Sequence, residues 1–171
     1  KPEPGQTVLV SRLRDGTRVT MAKEKILVII QEIIDQFNEE KVDLIILACT
    51  GEFKPFKSKI PVIYPDYLLN HVVQGLFRNR EQLGVIVPLP NQAESIESKW
   101  QSAGFETLIK ACSPYQFDEA ALIETAREFE QTDVDVIILD CIGYTQEMKT
   151  IVETHANKKV IVSRNIVFRN V

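Results

Sequence analysis

Two cysteines hold matching places in a repeated segment. Val42-Asp43-Leu44-Ile45-Ile46-Leu47-Ala48-Cys49-Thr50-Gly51 returns ninety-two residues later as Val134-Asp135-Val136-Ile137-Ile138-Leu139-Asp140-Cys141-Ile142-Gly143. Each copy is a β-branched and Leu run ending in Cys, with Gly two residues on. Such a run reads as a strand buried on both faces of a parallel sheet. In open α/β sheets, ligands bind beyond the carboxyl ends of the strands. Two thiols at the equivalent mouths of a duplicated fold would flank one cleft. A thiol on one side of a carbon acid and a thiolate on the other can move a proton across it. Either cysteine alone would read as a small buried hydrophobe; their equivalence in the repeat makes Cys49 and Cys141 candidate catalytic groups.

The residues around them fit a carboxylate. Gly143 permits a tight turn and Thr145 can cap a helix starting there. A helix amino terminus favours a nearby thiolate, and its free N–H groups can hold an anion. Ile142, Gly143 and Tyr144 are therefore candidate substrate contacts, with Thr50 and Gly51 as their first-copy counterparts. Pro88 and Pro90 end another strand sharply and leave Asn91 and Gln92 near a mouth; an ordinary loop with an Asn cap is the alternative. Ser163 and Asn165 follow the last strand and join the set. Asp140 faces away from Cys141 if its strand stays regular, so it is expected to bind loop backbone or tune the site. Cys112 has no partner in the repeat and reads as structural.

Other chemistries find little support. No C-x-x-C or H-x-x-x-H spacing exists, and His71 and His155 stand alone on predicted helices, away from strand ends. No G-x-G-x-x-G or Walker pattern is present. The expectation is no metal and no cofactor.

With 171 residues, 44% apolar, 26% charged and a formal net charge of −4, the chain is an ordinary globular sequence. Its largest basic cluster, Arg12, Arg14 and Arg18, is interrupted by Asp15, which argues against nucleic acid. Nothing approaches the roughly 18 apolar residues of a membrane span. Three cysteines without small-domain spacing point to a reducing, cytoplasmic setting.

The elements that position these residues follow from periodicity. Segments 7–10 and 17–21 flank Asp15-Gly16 as a hairpin. Residues 23–37 carry Ile26, Ile30, Ile33, Ile34 and Phe37 at helical spacing. Strands are expected at 43–48, 62–63, 83–87, 105–109, 135–139 and 159–162. Helices are expected at 66–80, 91–103, 117–130, 145–154 and 163–169, the one at 117–130 with Ala120, Ala121, Ile123, Ala126 and Phe129 on its buried side. This alternation indicates a parallel α/β architecture. Shifting the second half back by ninety-two places maps helix 117–130 onto 26–38, but strand 83–87 and helix 91–103 map before or just at Lys1. The expected organisation is two pseudo-symmetric parallel-sheet lobes, 1–80 with 163–171 and 81–162, the first lacking its N-terminal βα unit. Its bare edge strand calls for cover, either from a segment omitted ahead of Lys1 or from a paired or swapped neighbour in a homo-oligomer.

Ile45-Ile46-Leu47-Ala48-Cys49-Thr50, Gly84-Val85-Ile86-Val87-Pro88 with Lys99-Trp100, Val136 to Tyr144, and Val162-Ser163-Arg164-Asn165 together resemble the AroM family, a group without a settled reaction. The similarity covers nearly the whole chain. More distantly, the two-lobed, two-cysteine pattern resembles the aspartate/glutamate racemase superfamily. That resemblance implies a cofactor-independent racemase or isomerase with Cys49 and Cys141 on opposite faces of a substrate α-carbon. Racemases usually follow the first Cys with Asn-Thr and often the second with Thr-His; this chain has Thr50-Gly51 and Ile142-Gly143. The rival expectation is a non-catalytic module that binds a small anionic metabolite, linked to aromatic amino-acid biosynthesis.

Overall fold

The computed structural model describes residue 3, residues 5–77 and residues 82–169. Asp15-Gly16 makes the expected turn. Asp15 Oδ1 accepts from the Thr17 N–H at 2.8 Å, and Gly16 takes φ +89°, a left-handed value that glycine adopts at no steric cost. Strands β1 (Val8–Arg12) and β2 (Arg18–Ala22) pair antiparallel across it. Helix α1 (Lys23–Glu40) follows, then β3 (Ile45–Ile46) and β4 (Val62–Ile63), which pair parallel. Helix α2 (Pro65–Leu76) starts on a proline, whose missing N–H costs nothing in a first turn. The helix ends at Leu76, where Phe77 turns extended, short of the expected 66–80; residues 78–80 lie outside the described residues.

The second half alternates strictly: β5 (Gln82–Val87), a short 3-10 turn (Pro90–Gln92), α3 (Ala93–Ser102), β6 (Glu106–Ala111), α4 (Glu119–Glu130), β7 (Val136–Leu139), α5 (Gln146–Ala156), β8 (Lys159–Val162) and α6 (Ser163–Arg169). Four parallel strands lie in the order β6-β5-β7-β8. The chain leaves β5 toward β6 on one side and returns to β7 on the other. That reversal opens a crevice at the carboxyl ends of β5 and β7, where α/β sheets bind ligands.

All four residues of β7 are buried, and their alternation sorts them between two layers. Val136 and Ile138 join Leu83, Val85, Val87, Trp100 and Phe105, together with Leu69 and Val73 of α2. Ile137 and Leu139 join Ile86 and the inner faces of α4 and α5. Each such side chain contributes roughly 1.5–3 kcal/mol by leaving water. Helices α2 and α6 pack against each other and, through Leu69, Val73 and Ile166, against the same sheet. The proposed division into 1–80 with 163–171 and 81–162 has these two helices at its seam.

The first copy of the repeat departs from the expected burial. Ile45 is buried, but Leu44 is 39% exposed. Among the described residues β3 has one strand neighbour, β4, whereas β7 lies between β5 and β8. Of its periodic stripe, helix α1 fully buries Ile34 and leaves Ile33 exposed; Val28 and Ile29, off that stripe, are exposed as well. In α4 the buried stripe is Leu122, Ala126 and Phe129, an i, i+4, i+7 line; Ala120 and Ala121 face solvent. No helix of the described residues is long and apolar enough to cross a membrane.

Candidate functional site

Both repeat cysteines open into one cavity of about 280 Å³. Cys49 lies beyond β3 and Cys141 beyond β7, at the ends of strands from two separate sheets. The hairpin residues Leu9, Val10, Ser11 and Met21 cover the cavity, and Ile26, Ile30 and Phe53 extend its apolar wall. Two hydrogen bonds tie this cover to the second half. Gln92 Nε2 donates to the Val8 carbonyl at 3.4 Å, and Arg18 Nη1 donates to Gln116 Oε1 at 2.7 Å.

The sulfurs have matching surroundings. The Gly51 N–H donates to Cys49 Sγ at 3.4 Å, and the Gly143 N–H donates to Cys141 Sγ at the same 3.4 Å. Thr50 Oγ1 donates to the Asp140 carbonyl at 3.3 Å, joining the first cysteine loop to the strand end that carries the second. Tyr115 stands 3.3 Å from Cys141 Sγ through its hydroxyl.

Strand alternation sends Asp140 to the side opposite Cys141, toward α3. There its Oδ2 accepts from Lys99 Nζ at 2.5 Å and Trp100 Nε1 at 3.0 Å. The expected contact with loop backbone does not form, because α3 brings a buried cation directly to the carboxylate. Lys99 and Asp140 side chains are 1% and 0% exposed. Asp66, at the start of α2, is also buried; burial raises its carboxyl above the ordinary range, against the Tyr67 N–H and the nearby Lys99.

Burial dominates the thiols. It pushes Cys141 up to about 11, although the Tyr115 hydroxyl and the Gly143 N–H favour the thiolate. It raises Cys49 too, with the Gly51 N–H opposing; Asp140 and Asp66 add to the rise and Lys23 counters it. The expected activation by a helix terminus does not prevail, since α5 starts only at Gln146 and the sulfur sits in a largely dry pocket.

The AroM protein family model matches residues 1–171. The chain belongs to the AroM family. No curated protein matches it. Solved structures of similar fold include a glutamate racemase from Aquifex pyrophilus, with TM-score 0.63 and 19% identity over 88% of this chain and 66% of that one. An arylmalonate decarboxylase gives TM-score 0.65 at 14% identity, covering 86% of this chain and 73% of that one. A maleate isomerase from Pseudomonas putida gives 0.61 at 16%, covering 80% and 66%. The AroM chain thus spans about two thirds of the length of these structures, and shares with them the racemase-like α/β fold.

Of the residues expected at the site, Cys49, Thr50, Gly51, Gln92, Cys141 and Ile142 line the AroM cavity. The others lie elsewhere. Asn91 faces a separate shallow pocket beside Glu94 and Ser98, because the 3-10 turn points Gln92 inward instead. Gly143 reaches the site through its N–H alone. Tyr144 is 1% exposed and its hydroxyl donates to the Cys112 carbonyl at 2.7 Å, an anchoring role. Ser163 is fully buried and donates to the Leu139 carbonyl at 2.5 Å. Asn165 donates to Gln146 Oε1 at 2.8 Å.

Tyr115, Lys99 and Lys23 are cavity residues that the sequence reading did not assign to the site. Tyr115 follows β6, so the strand-end rule applied to β5 and β7 would have found it. Lys99 needed knowledge of its partner Asp140. Lys23 heads α1, with its ammonium 5.1 Å from the Phe53 ring centroid, and brings positive charge to the wall. Nothing in its sequence context marks it.

Proposed function

We propose that this AroM protein catalyses cofactor-independent proton transfer at the α-carbon of a small carboxylate, a racemase- or isomerase-type reaction. The observation that carries the reading is the opening of Cys49 and Cys141 into one cavity with equivalent N–H donors on both sulfurs. Because a Cys49 thiolate opposes ionisation of Cys141, the working form is a singly ionised pair, one base and one acid. Lys23 supplies charge for the substrate carboxylate, and the hairpin excludes water. The fold neighbours named as glutamate racemase and maleate isomerase support a carboxylate.

The high thiol pKa values favour a second reading, a non-catalytic cleft for a small anionic metabolite, with acids of aromatic amino-acid biosynthesis as the first ligands to screen. One experiment separates the two. Candidate carboxylates found by thermal shift are incubated in deuterium oxide, and α-carbon exchange is followed by NMR. Proton transfer gives exchange that falls at least ~100-fold in Cys49→Ala and in Cys141→Ala. Ligand-induced stabilisation without exchange in the unaltered protein refutes it and leaves the binding reading. A cytoplasmic homo-oligomer whose partner covers the side of β3 that is unpaired among the described residues is part of the same proposal, and a monomer in light scattering refutes it.

A further inference from the structure

We infer that Tyr115 is a positioning residue that makes the two thiols inequivalent, its hydroxyl steadying the anion whenever it rests on Cys141. The chemical consequence rests on the proton-transfer reading; the geometry does not. Tyr115 lies in the loop between β6 and α4, lines the cavity and places its hydroxyl 3.3 Å from Cys141 Sγ. Its ring fills the space left by Gly143. A Cβ there would come within 2.8 Å of Tyr115 Cζ, 3.0 Å of Cε1 and 3.0 Å of Pro114 Cγ. Gly143 thus admits the tyrosine and gives its own N–H to the same sulfur. At Cys49 the matching glycine faces Leu9 Cδ2 at 3.0 Å and Phe53 at 3.8 Å, and among the described residues no hydroxyl bonds that sulfur.

The groups facing Cys141 are Tyr115, Cys49, Asp140 and Tyr144, and Arg12 faces Tyr115. Burial and the neighbouring sulfur raise the Tyr115 phenol far above its ordinary value. It therefore stays protonated, so it donates and the sulfur accepts. Burial and a Cys49 thiolate both raise Cys141, so Cys49 gives up its proton first, and the Tyr115 donor lowers the cost of moving the anion to Cys141. The Cys49 thiolate takes the α-proton. The C–H bond breaks, an S–H bond forms, and the electron pair passes to the carbon and its carboxylate. Cys141 returns a proton as its S–H bond breaks, keeping the pair as a thiolate that the Tyr115 hydroxyl steadies, and exchange with water restores the starting form. The two directions start from unequally populated forms.

The test uses the full chain without substrate, with 13Cβ-labelled cysteine followed by NMR from pH 7 to 12. In Tyr115→Phe the Cys141 midpoint is expected to rise by about one pH unit, a roughly tenfold drop in its thiolate at fixed pH, while Cys49 and Cys112 stay put. Gly143→Ala, which crowds the ring, moves Cys141 the same way. The inference is overturned by an unmoved or lowered Cys141 midpoint, by an equal movement of Cys49, or by a Cys141 that stays neutral to pH 12 in both proteins. Absence of α-carbon exchange would sink the proton-transfer reading while leaving this titration result standing.

Discussion

Lys99→Met is expected to destabilise the protein strongly, and a second substitution at Asp140 to undo most of the damage. The two side chains meet at 2.5 Å with exposures of 1% and 0%. At an effective dielectric of ~20, a pair at that distance attracts by about 6–7 kcal/mol. Most of this offsets the several kcal/mol lost when each ion leaves water, so the pair itself adds little. Removing one partner is different. Methionine fills most of the lysine volume but leaves the Asp140 carboxylate with the Trp100 N–H and no cation, and its Oδ1 already has no partner. The expected loss is ~3–5 kcal/mol, or on the order of 6–20 °C in Tm for a protein of this size. Lys99→Met/Asp140→Asn removes both charges and keeps an acceptor for Trp100, so it should return to within ~1–2 kcal/mol of the parent. Lys149→Met breaks a half-exposed pair with Glu153 at 3.4 Å and should cost no more than ~0.5 kcal/mol. Guanidinium unfolding followed by the single tryptophan, Trp100, which sits on this carboxylate, reads all four proteins. A Lys99→Met loss below ~1 kcal/mol, or a double variant no more stable than the single one, would refute the argument.

Alkaline stability should report Cys141. Its folded value of about 11 exceeds the ordinary 9.0, so the folded state keeps a proton that the unfolded chain loses between them. Stability is full below pH 9 and declines as pH rises to 11, by roughly 3 kcal/mol; Cys141→Ala should flatten that limb in urea titrations across the range. Gly84→Ala places a Cβ 2.8 Å from Phe129 Cε1 and 3.1 Å from Ile137 Cγ1 in the sheet core, and calorimetry should show a loss of ~1–3 kcal/mol. Ser163→Ala removes the buried hydroxyl donor to the Leu139 carbonyl and should cost about 1 kcal/mol in chemical denaturation.

The repeat, the order of strands and helices, and the placing of both cysteines just beyond strand ends were legible in the residues because they depend on local pattern. A four-residue β-branched run, a Gly two places after a Cys and a Thr at a helix start mean the same thing wherever the chain places them. The cap at Thr145, which accepts from the Met148 N–H, follows from that local logic. So does the opposition of Asp140 and Cys141, since side chains alternate along any strand. Partners across sequence distance followed no such rule. Lys99 is forty-one residues from Asp140 and Tyr115 twenty-six from Cys141; their meeting depends on how α3 and the loop after β6 fold over the ends of β5 and β7. The thiol pKa values depend on the same packing. A helix terminus acts over about one turn, whereas the dryness of a pocket is set by every wall that closes it, and here those walls come from the hairpin, α1 and two sheets. The sequence alone determined which atoms could carry a proton. The tertiary structure decided how much water, and which donors, each of them meets.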